Sequence, residues 1–458
     1  MKIKRLLCVL ICNLVTYSAL GSKISTQIEA NTLITDNVLL SSNKSSDQIL
    51  VLNPSIKFFH EKSKIKLASE YQADFLKYRR FSNKDTINHE GYIQLEKNNS
   101  NYEFLVYSNL YQDILNPNQQ LLNPNFQLGD KKPYIFKNSV NQQINKKLYN
   151  ASDVSFLLNL GRISFHQYSP QTSPIYNIKY SVNAKSLSKE NNDFSWSLIN
   201  LSEMNYQDNN QINRIDKSIF HIDYFISYRL GIFYELGYEK DESALNQKIS
   251  GMITSLGINY KANHGNNLEF KIGKQSFGYS YGFNFEWNRK RFFTNLKYNE
   301  SVSTDTQIRF SDKFDETNFY ENNEDLNYYT ELNNQIFVSK EGMFLARYNF
   351  KKSNIKLTSF KHARHYINSP TFEKFYGSGL SWEGPINKNL QVSTHINYVK
   401  QVFSDKTVNP WRQFKINFLW NTNDKLSYQL SLQRYISKPN HIPGVNENNI
   451  RLSLKYIF

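Results

Sequence analysis

Along most of this chain apolar and polar residues alternate one for one. In YSYGFNFEW, Tyr279, Tyr281, Phe283, Phe285 and Trp287 fall on one face, and Ser280, Gly282, Asn284 and Glu286 on the other. RQFKINFLW sets Phe414, Ile416, Phe418 and Trp420 against Gln413, Lys415 and Asn417. KIKLASEYQADF sets Ile65, Leu67, Tyr71 and Phe75 against Lys64, Lys66, Glu70 and Asp74. Successive side chains of a strand point to opposite faces, so this alternation predicts strands with one apolar and one polar face. No segment shows a convincing apolar stripe of helical period over three turns.

The punctuation between these stretches alternates as well. Short polar turns at 60–63, 97–100, 187–192, 261–266, 288–290, 351–353 and 421–424 are interleaved with longer connections at 77–86, 112–133, 207–214, 241–248, 305–341, 403–410 and 437–447. Short turns on one side and long loops on the other are the pattern of an outer-membrane barrel. The expectation is an all-β chain: a transmembrane, antiparallel, up-and-down β-barrel of about 22 strands (about 20 to 24). Its long loops are extracellular and its short turns periplasmic. Parity fits, because the last strand and Gln48–Phe59 both descend and Lys23–Thr35 supplies the ascending partner.

Residues 1–21 read as a secretory signal peptide, with Lys2, Lys4 and Arg5 before an apolar run and a small-residue site at Ala19–Gly21. The mature chain, 22–458, then reads as one barrel with a long acidic loop at 305–341 and no separate soluble domain. Cys8 and Cys12 both lie in the leader, so no disulfide or thiolate site is expected. Only 40% of residues are hydrophobic, yet 15% are aromatic, a share that argues against disorder. No apolar run long enough for a transmembrane helix follows the leader. In the closing stretch NNIRLSLKYIF, Ile450, Leu452, Leu454, Tyr456 and Phe458 share one face. A terminal alternating strand ending in Phe is similar to the signal that such barrels present to their assembly machinery, with Leu454, Tyr456 and Phe458 as its core.

Several segments resemble the PEP-CTERM system-associated outer-membrane proteins, a family of large barrels. They are ITDNVLL (34–40), NNQIFVSKEGMFLARYNFKKSNIKLTSF (333–360), GSGLSWEGPINKNLQVSTHINY (377–398) and the closing strand. The resemblance covers most of the mature chain in order. It implies a porin-like outer-membrane protein in an exopolysaccharide or exosortase setting, with polysaccharide-export components as partners and no catalytic residues.

The residue chemistry adds little catalysis. His362 and His365 are three apart, hence on opposite faces of a strand and unable to share a metal. GKQS (273–276) lacks the earlier glycine and following helix of a phosphate-binding loop. No Gly-x-Ser-x-Gly elbow occurs. An enzyme, a cofactor, a metal centre and a nucleic-acid partner are therefore not expected. Tyr and Trp near strand ends read as membrane-interface girdles, whereas Tyr92 and Tyr107 fall on the polar face with Gln94 and Glu103.

If the polar face lines a lumen, it carries Lys271, Lys297, Arg347, Lys356, Lys415, Arg451 and Lys455, joined by Glu70, Asp74, Glu103, Glu269 and Glu286. Bases outnumber acids in that set, and the formal net charge is +15, so a preference for anions is expected. Against this basic background, 311–331 carries Asp312, Asp315, Glu316, Glu321, Glu324, Asp325 and Glu331 with Lys313 as its only base. Asp315, Glu316, Glu324 and Asp325 are the candidate divalent-cation cluster, near lipopolysaccharide phosphates. The function expected is passage or export of a polar solute across the outer membrane. The rivals are a non-conducting structural or adhesive barrel and an outer-membrane lipid-modifying enzyme. The partners expected are outer-membrane lipid, lipopolysaccharide and the assembly machinery. A plugged ligand-gated transporter is not expected, because only about a dozen residues precede the first strand where such a plug takes roughly a hundred.

Overall fold

The structure is a computed structural model. It describes residues 22–458 except 39–41, 100, 113–133, 149–151, 167–173, 187–193, 208–209, 244–247, 263–264, 305–335, 368–370, 439 and 441–443. The first strands are β1 (Lys23–Thr35), β2 (Asp47–Lys62), β3 (Ile65–Tyr78), β4 (Thr86–Asn99), β5 (Tyr102–Gln112), β6 (Tyr134–Leu148), β7 (Ser152–His166) and β8 (Ile175–Ser186). Then come β9 (Phe194–Gln207), β10 (Asn210–Phe225), β11 (Leu230–Ser243), β12 (Lys248–Lys261), β13 (Asn267–Gln275), β14 (Gly278–Arg289) and β15 (Phe292–Thr304). The last are β16 (Ile336–Asn349), β17 (Asn354–Tyr366), β18 (Phe372–Pro385), β19 (Leu390–Phe403), β20 (Val408–Asn421), β21 (Leu426–Ser437) and β22 (Val445–Ile457). Each strand pairs antiparallel with its neighbours in sequence, and β1 also pairs with β22. The 22-stranded sheet therefore closes. Closure leaves no unpaired strand edge, which a hydrocarbon surrounding requires.

Directly paired residues stand on the same face of a sheet, so the alternation of each strand propagates through the register round the whole wall. Leu50, Tyr234, Leu256, Phe414 and Leu452 on the outer face are large, apolar and exposed. Ile49, Asn177, Phe233, Ser255 and Asn449 on the inner face are buried. Trp287, Tyr348, Trp382, Trp420 and Tyr428 stand outward, close to the short turns, and form the periplasmic aromatic girdle.

Two of those turns show why the chain reverses so tightly. Ser63 and Lys290 sit between adjoining strands with φ of 55° and 48°, the left-handed conformation that two-residue hairpin turns use. The extracellular end departs from expectation in places. β16 begins at Ile336, so 336–341 is strand rather than loop, held by pairs from Thr304–Ile336 to Asn299–Glu341. β10 already begins at Asn210, inside the connection expected at 207–214. β13 and β14 are joined by Ser276 and Phe277 alone, as short as any periplasmic turn. Ser276 donates to Glu239 of β11 from its amide (3.0 Å) and its hydroxyl (2.5 Å).

The wall is unevenly curved. Cα atoms of β11 and β16 come within 8 Å of each other, although β12 to β15 stand between them round the sheet. Phe233 of β11 lies over Gly257 of β12, where a Cβ would overlap its ring. At the closing seam the ladder runs from Gln27–Ile457 to Thr35–Asn449. It is pinned at the top by Thr35 donating to Glu447 at 2.8 Å and at the bottom by the Phe458 amide donating to the Thr26 carbonyl at 2.9 Å.

Candidate functional site

The register places Lys271, Lys297, Arg347, Lys356, Lys415, Arg451 and Lys455 on the inner face, opposite Gly257, Asn284, Lys356, Arg347, His395, Leu33 and Glu29 in turn. Glu70, Asp74, Glu103, Glu269 and Glu286 share that face, opposite Lys57, Asn88, Gln143, Asn259 and Asn295. These residues do not converge on one point. They divide into separate arrangements with different chemistry.

On β10 to β13 several of the inward charges are paired in a network. His221 lies with Nε2 3.1 Å from Asp223 and Nδ1 3.3 Å from Glu235. Glu235 also accepts from the Ser255 hydroxyl at 2.5 Å and pairs with Lys271 at 3.0 Å, two strands away. Lys217 approaches Glu239 at 3.5 Å. On β2 to β4, Lys57 pairs with Glu70 at 2.9 Å, and Asp74 accepts from Asn53 at 2.6 Å and Gln72 at 2.8 Å. Asn295 donates to Glu286 at 3.1 Å. Such pairs brace the wall, because each carboxylate regains in a neighbour what it loses in hydration.

A different arrangement spans β16 to β20. One cross-strand row sets Arg347, Lys356, Ser381, His395 and Lys415 side by side, one residue per strand, at about 4.8 Å per step. Among the described residues, no carboxylate lies within ion-pair distance of Arg347, Lys356, His395 or Lys415. The row depends on register, which alternation alone does not reveal.

Tyr92 and Tyr107 stack in the lumen with ring centroids 6.3 Å apart and planes 22° apart. Asn109 and Gln94 stand directly across from them. Ser339, Glu341 and His362 also meet, but not as a relay. The Ser339 hydroxyl is 2.9 Å from His362 Nε2, and Glu341 lies 3.5 Å from the same nitrogen. A nucleophile triad needs its carboxylate on the opposite ring nitrogen, Nδ1. His365 faces outward, away from His362. Among the described residues, no group of three or more His, Cys, Asp or Glu is placed to hold a metal ion.

The charge balance differs from the expected one. On the inner face of the described strands, carboxylates outnumber lysines and arginines. Of the strand carboxylates, only Asp216, Glu242 and Glu300 stand outward by register. The basic surplus of the described strands therefore lies on the outside of the barrel. Lys271, Lys297, Arg347, Lys356, Lys415, Arg451 and Lys455 are a partial sample of the charges that the register puts on the inner face. Asp315, Glu316, Glu324 and Asp325 lie outside the described residues. Leu454, Tyr456 and Phe458 lie in a line down the outer side of the closing strand. Tyr456 and Phe458 meet edge to face at 4.8 Å, and Phe458 is 67% exposed.

No protein-family model matches the sequence, and no curated protein matches it. Solved structures are similar. The FrpB iron transporter from Neisseria meningitidis aligns with a TM-score of 0.56 at 10% identity, over 96% of this chain and 83% of that one. The siderophore receptor PirA from Acinetobacter baumannii gives 0.55 at 8%, over 95% and 80%. A mutant of the ferric enterobactin receptor PfeA from Pseudomonas aeruginosa gives 0.53 at 8%, over 96% and 81%. At such identities the likeness is one of fold. The chain is built as an outer-membrane β-barrel, and its closed wall and outward apolar belt place it in that membrane.

Proposed function

We propose that the barrel is a porin-like channel that passes or exports a polar solute bearing anionic groups. The setting is the exopolysaccharide or secretion context implied by the PEP-CTERM-like segments. The carrying observation is the uncompensated row of Arg347, Lys356, His395 and Lys415. An anionic group entering a lumen loses hydration, and closely spaced cations on one wall replace it. The preference for anions rests on this row and not on the total lumen charge, which the paired carboxylates dominate. The Tyr92–Tyr107 stack adds a flat apolar surface among amide groups, chemistry suited to a sugar ring.

The rival with an observation in its favour is a non-conducting structural barrel, because the approach of β11 to β16 narrows the lumen. Single-channel recording in planar bilayers separates the two. The expected result is a conducting pore whose reversal potential at low salt shows anion preference, lost in the variant K356Q/K415Q. Absence of conductance in correctly folded protein would favour the structural barrel. Lipid hydrolysis by the purified protein would favour an enzyme.

A further inference from the structure

The outer surface of β16 to β21 carries charge where a lipid-facing wall is normally apolar. Lys361, Lys374, Lys400, Arg412 and Arg434 all stand outward by register. No carboxylate stands outward on those strands. Elsewhere several outward bases have an acid beside them: Arg214 has Asp216 at 2.7 Å, Lys240 and Lys248 have Glu242 at 2.9 and 3.5 Å, and Lys340 has Glu300 at 3.1 Å; Arg162 and Lys274 also stand outward without one among the described residues, but singly and not as an arc. Among the described residues, no acid lies within ion-pair distance of the five bases of the arc.

The level of the arc is informative. Lys374 and Arg412 lie about eight residues above Trp382 and Trp420 of the periplasmic girdle on the same strands. At about 3.3 Å per residue and a tilt of about 40°, that is roughly 20 Å of height. The apolar band of such barrels is about 25 Å tall. The arc therefore stands at the extracellular edge of the band, at the depth of outer-leaflet headgroups.

The surface beneath is shaped as well as charged. A groove of about 740 Å³ runs over Gly342 between Phe283, Leu296 and Phe344 and reaches Lys361, Tyr376 and Tyr398. A second, of about 480 Å³, lies beside Ile396, Phe414 and Ile436 and reaches Arg412 and Arg434. Lys361 lies 5.9 Å from the Tyr376 ring centroid and Arg412 5.7 Å from that of Tyr398. Tyr376 separates Lys361 from Lys400 along one cross-strand row, so these cations are positioned about two strand spacings apart, roughly 10 Å.

We propose that the outer surface of β16 to β21 binds a phosphorylated, acylated glycolipid of the extracellular leaflet. Its phosphates sit on Lys361, Lys400, Arg412 and Arg434, and its acyl chains lie in the two grooves. The bases then do what divalent cations do elsewhere in that leaflet, neutralising phosphates that would otherwise repel one another. Charge complementarity and the apolar grooves below it select this occupant. A soluble anion has no use for the grooves, and an apolar protein partner has none for the cations.

The inference rests on the outer-membrane location. The test compares the wild type, the variant K361Q/K400Q/R412Q/R434Q and the control R162Q/R214Q/K240Q/K248Q, each assembled in cells and extracted in mild detergent. Glycolipid retained per barrel is counted by native mass spectrometry, and folding is checked by heat-modifiable gel mobility. Wild type and control are expected to retain glycolipid, and the arc variant to retain at least tenfold less. If the arc variant does not fold, K400Q/R412Q gives the same comparison with a smaller loss. Rebinding is then measured with lipid A vesicles, phosphatidylglycerol vesicles and inorganic phosphate. Equal retention by the arc variant would overturn the proposal. So would equal competition by phosphatidylglycerol or inorganic phosphate, or a lipid-free dimer formed through this face. Wild type found outside the outer membrane would sink the location reading, whereas correctly located wild type without glycolipid sinks only this inference.

Discussion

Thr35 of the first strand donates its hydroxyl to the Glu447 carboxylate of the last, 2.8 Å away, and both residues are buried. Their separation in sequence is nearly the whole chain, so this bond exists only once the barrel has closed. Removing one partner leaves a buried polar group with less satisfaction, which costs about 1–3 kcal/mol. Thr35→Val is expected to lower the temperature at which the heat-modifiable gel form is lost. An unchanged transition would show that the seam is held by its backbone ladder alone.

The same seam has a pH-sensitive clasp outside the membrane-spanning strands. Asp36 accepts from Lys44 Nζ at 2.5 Å, from the Asn448 amide at 2.7 Å and from Asn448 Nδ2 at 2.8 Å. Burial alone would raise its pKa, but the bonds from Lys44 and Asn448 outweigh burial and hold it below the usual carboxylate value. A depressed folded-state pKa adds stability that is present above the unfolded value, about 3.9, and lost as pH falls through the folded one. Thermal stability should therefore fall with acidification below about pH 4, and Asp36→Asn should flatten that slope. An identical slope in the variant would assign the acid sensitivity to other groups.

Charge reversal within the basic row gives a sharper readout than neutralisation. Lys415→Glu places a carboxylate beside His395 and about three strand spacings from Lys356, roughly 14 Å. The expected outcome is inverted ion preference at low salt, with the difference fading as ionic strength rises. Lys271→Glu serves as the contrast, since Lys271 is already committed to Glu235. Similar shifts from both substitutions would show that total lumen charge, not the row, sets selectivity.

Gly257 supports the β10–β13 network indirectly. Phe233 covers it and also stacks on His221, with centroids 5.1 Å apart. Gly257→Val would displace the Phe233 ring and with it the His221 contacts, at an overpacking cost of about 1–3 kcal/mol. The expected result is a lower unfolding temperature together with altered single-channel noise. A stable barrel with unaltered conductance would show that the ring has room to move aside.

Much of the fold was readable from period-two alternation because a lipid-facing strand must be apolar on one side only. YSYGFNFEW and RQFKINFLW declared both their faces and their membership of a barrel. Turn positions such as Lys351–Ser353 were readable because hairpins there need few polar residues. The short β13–β14 connection was not, since Ser276 and Phe277 carry no Gly-Asn type signal and are held instead by Glu239 of β11. Face assignment was likewise readable, but partnership was not. Lys271 and Lys415 look alike in sequence, yet one is paired across two strands and the other stands in an unpaired row. The outward basic arc was hidden for the same reason: Lys361, Lys400 and Arg412 become neighbours only through register.

The approach of β11 to β16 folds the intervening wall inward, so the free cross-section is not round. An opening that is not round sorts solutes by their thinnest dimension before their breadth. A ribbon-like polymer fed endwise can thread such an opening where a compact sphere of equal cross-sectional area is turned away. Sizing with round, uncharged probes would then understate what the barrel admits, and flexible chains of the same mass would define its true aperture.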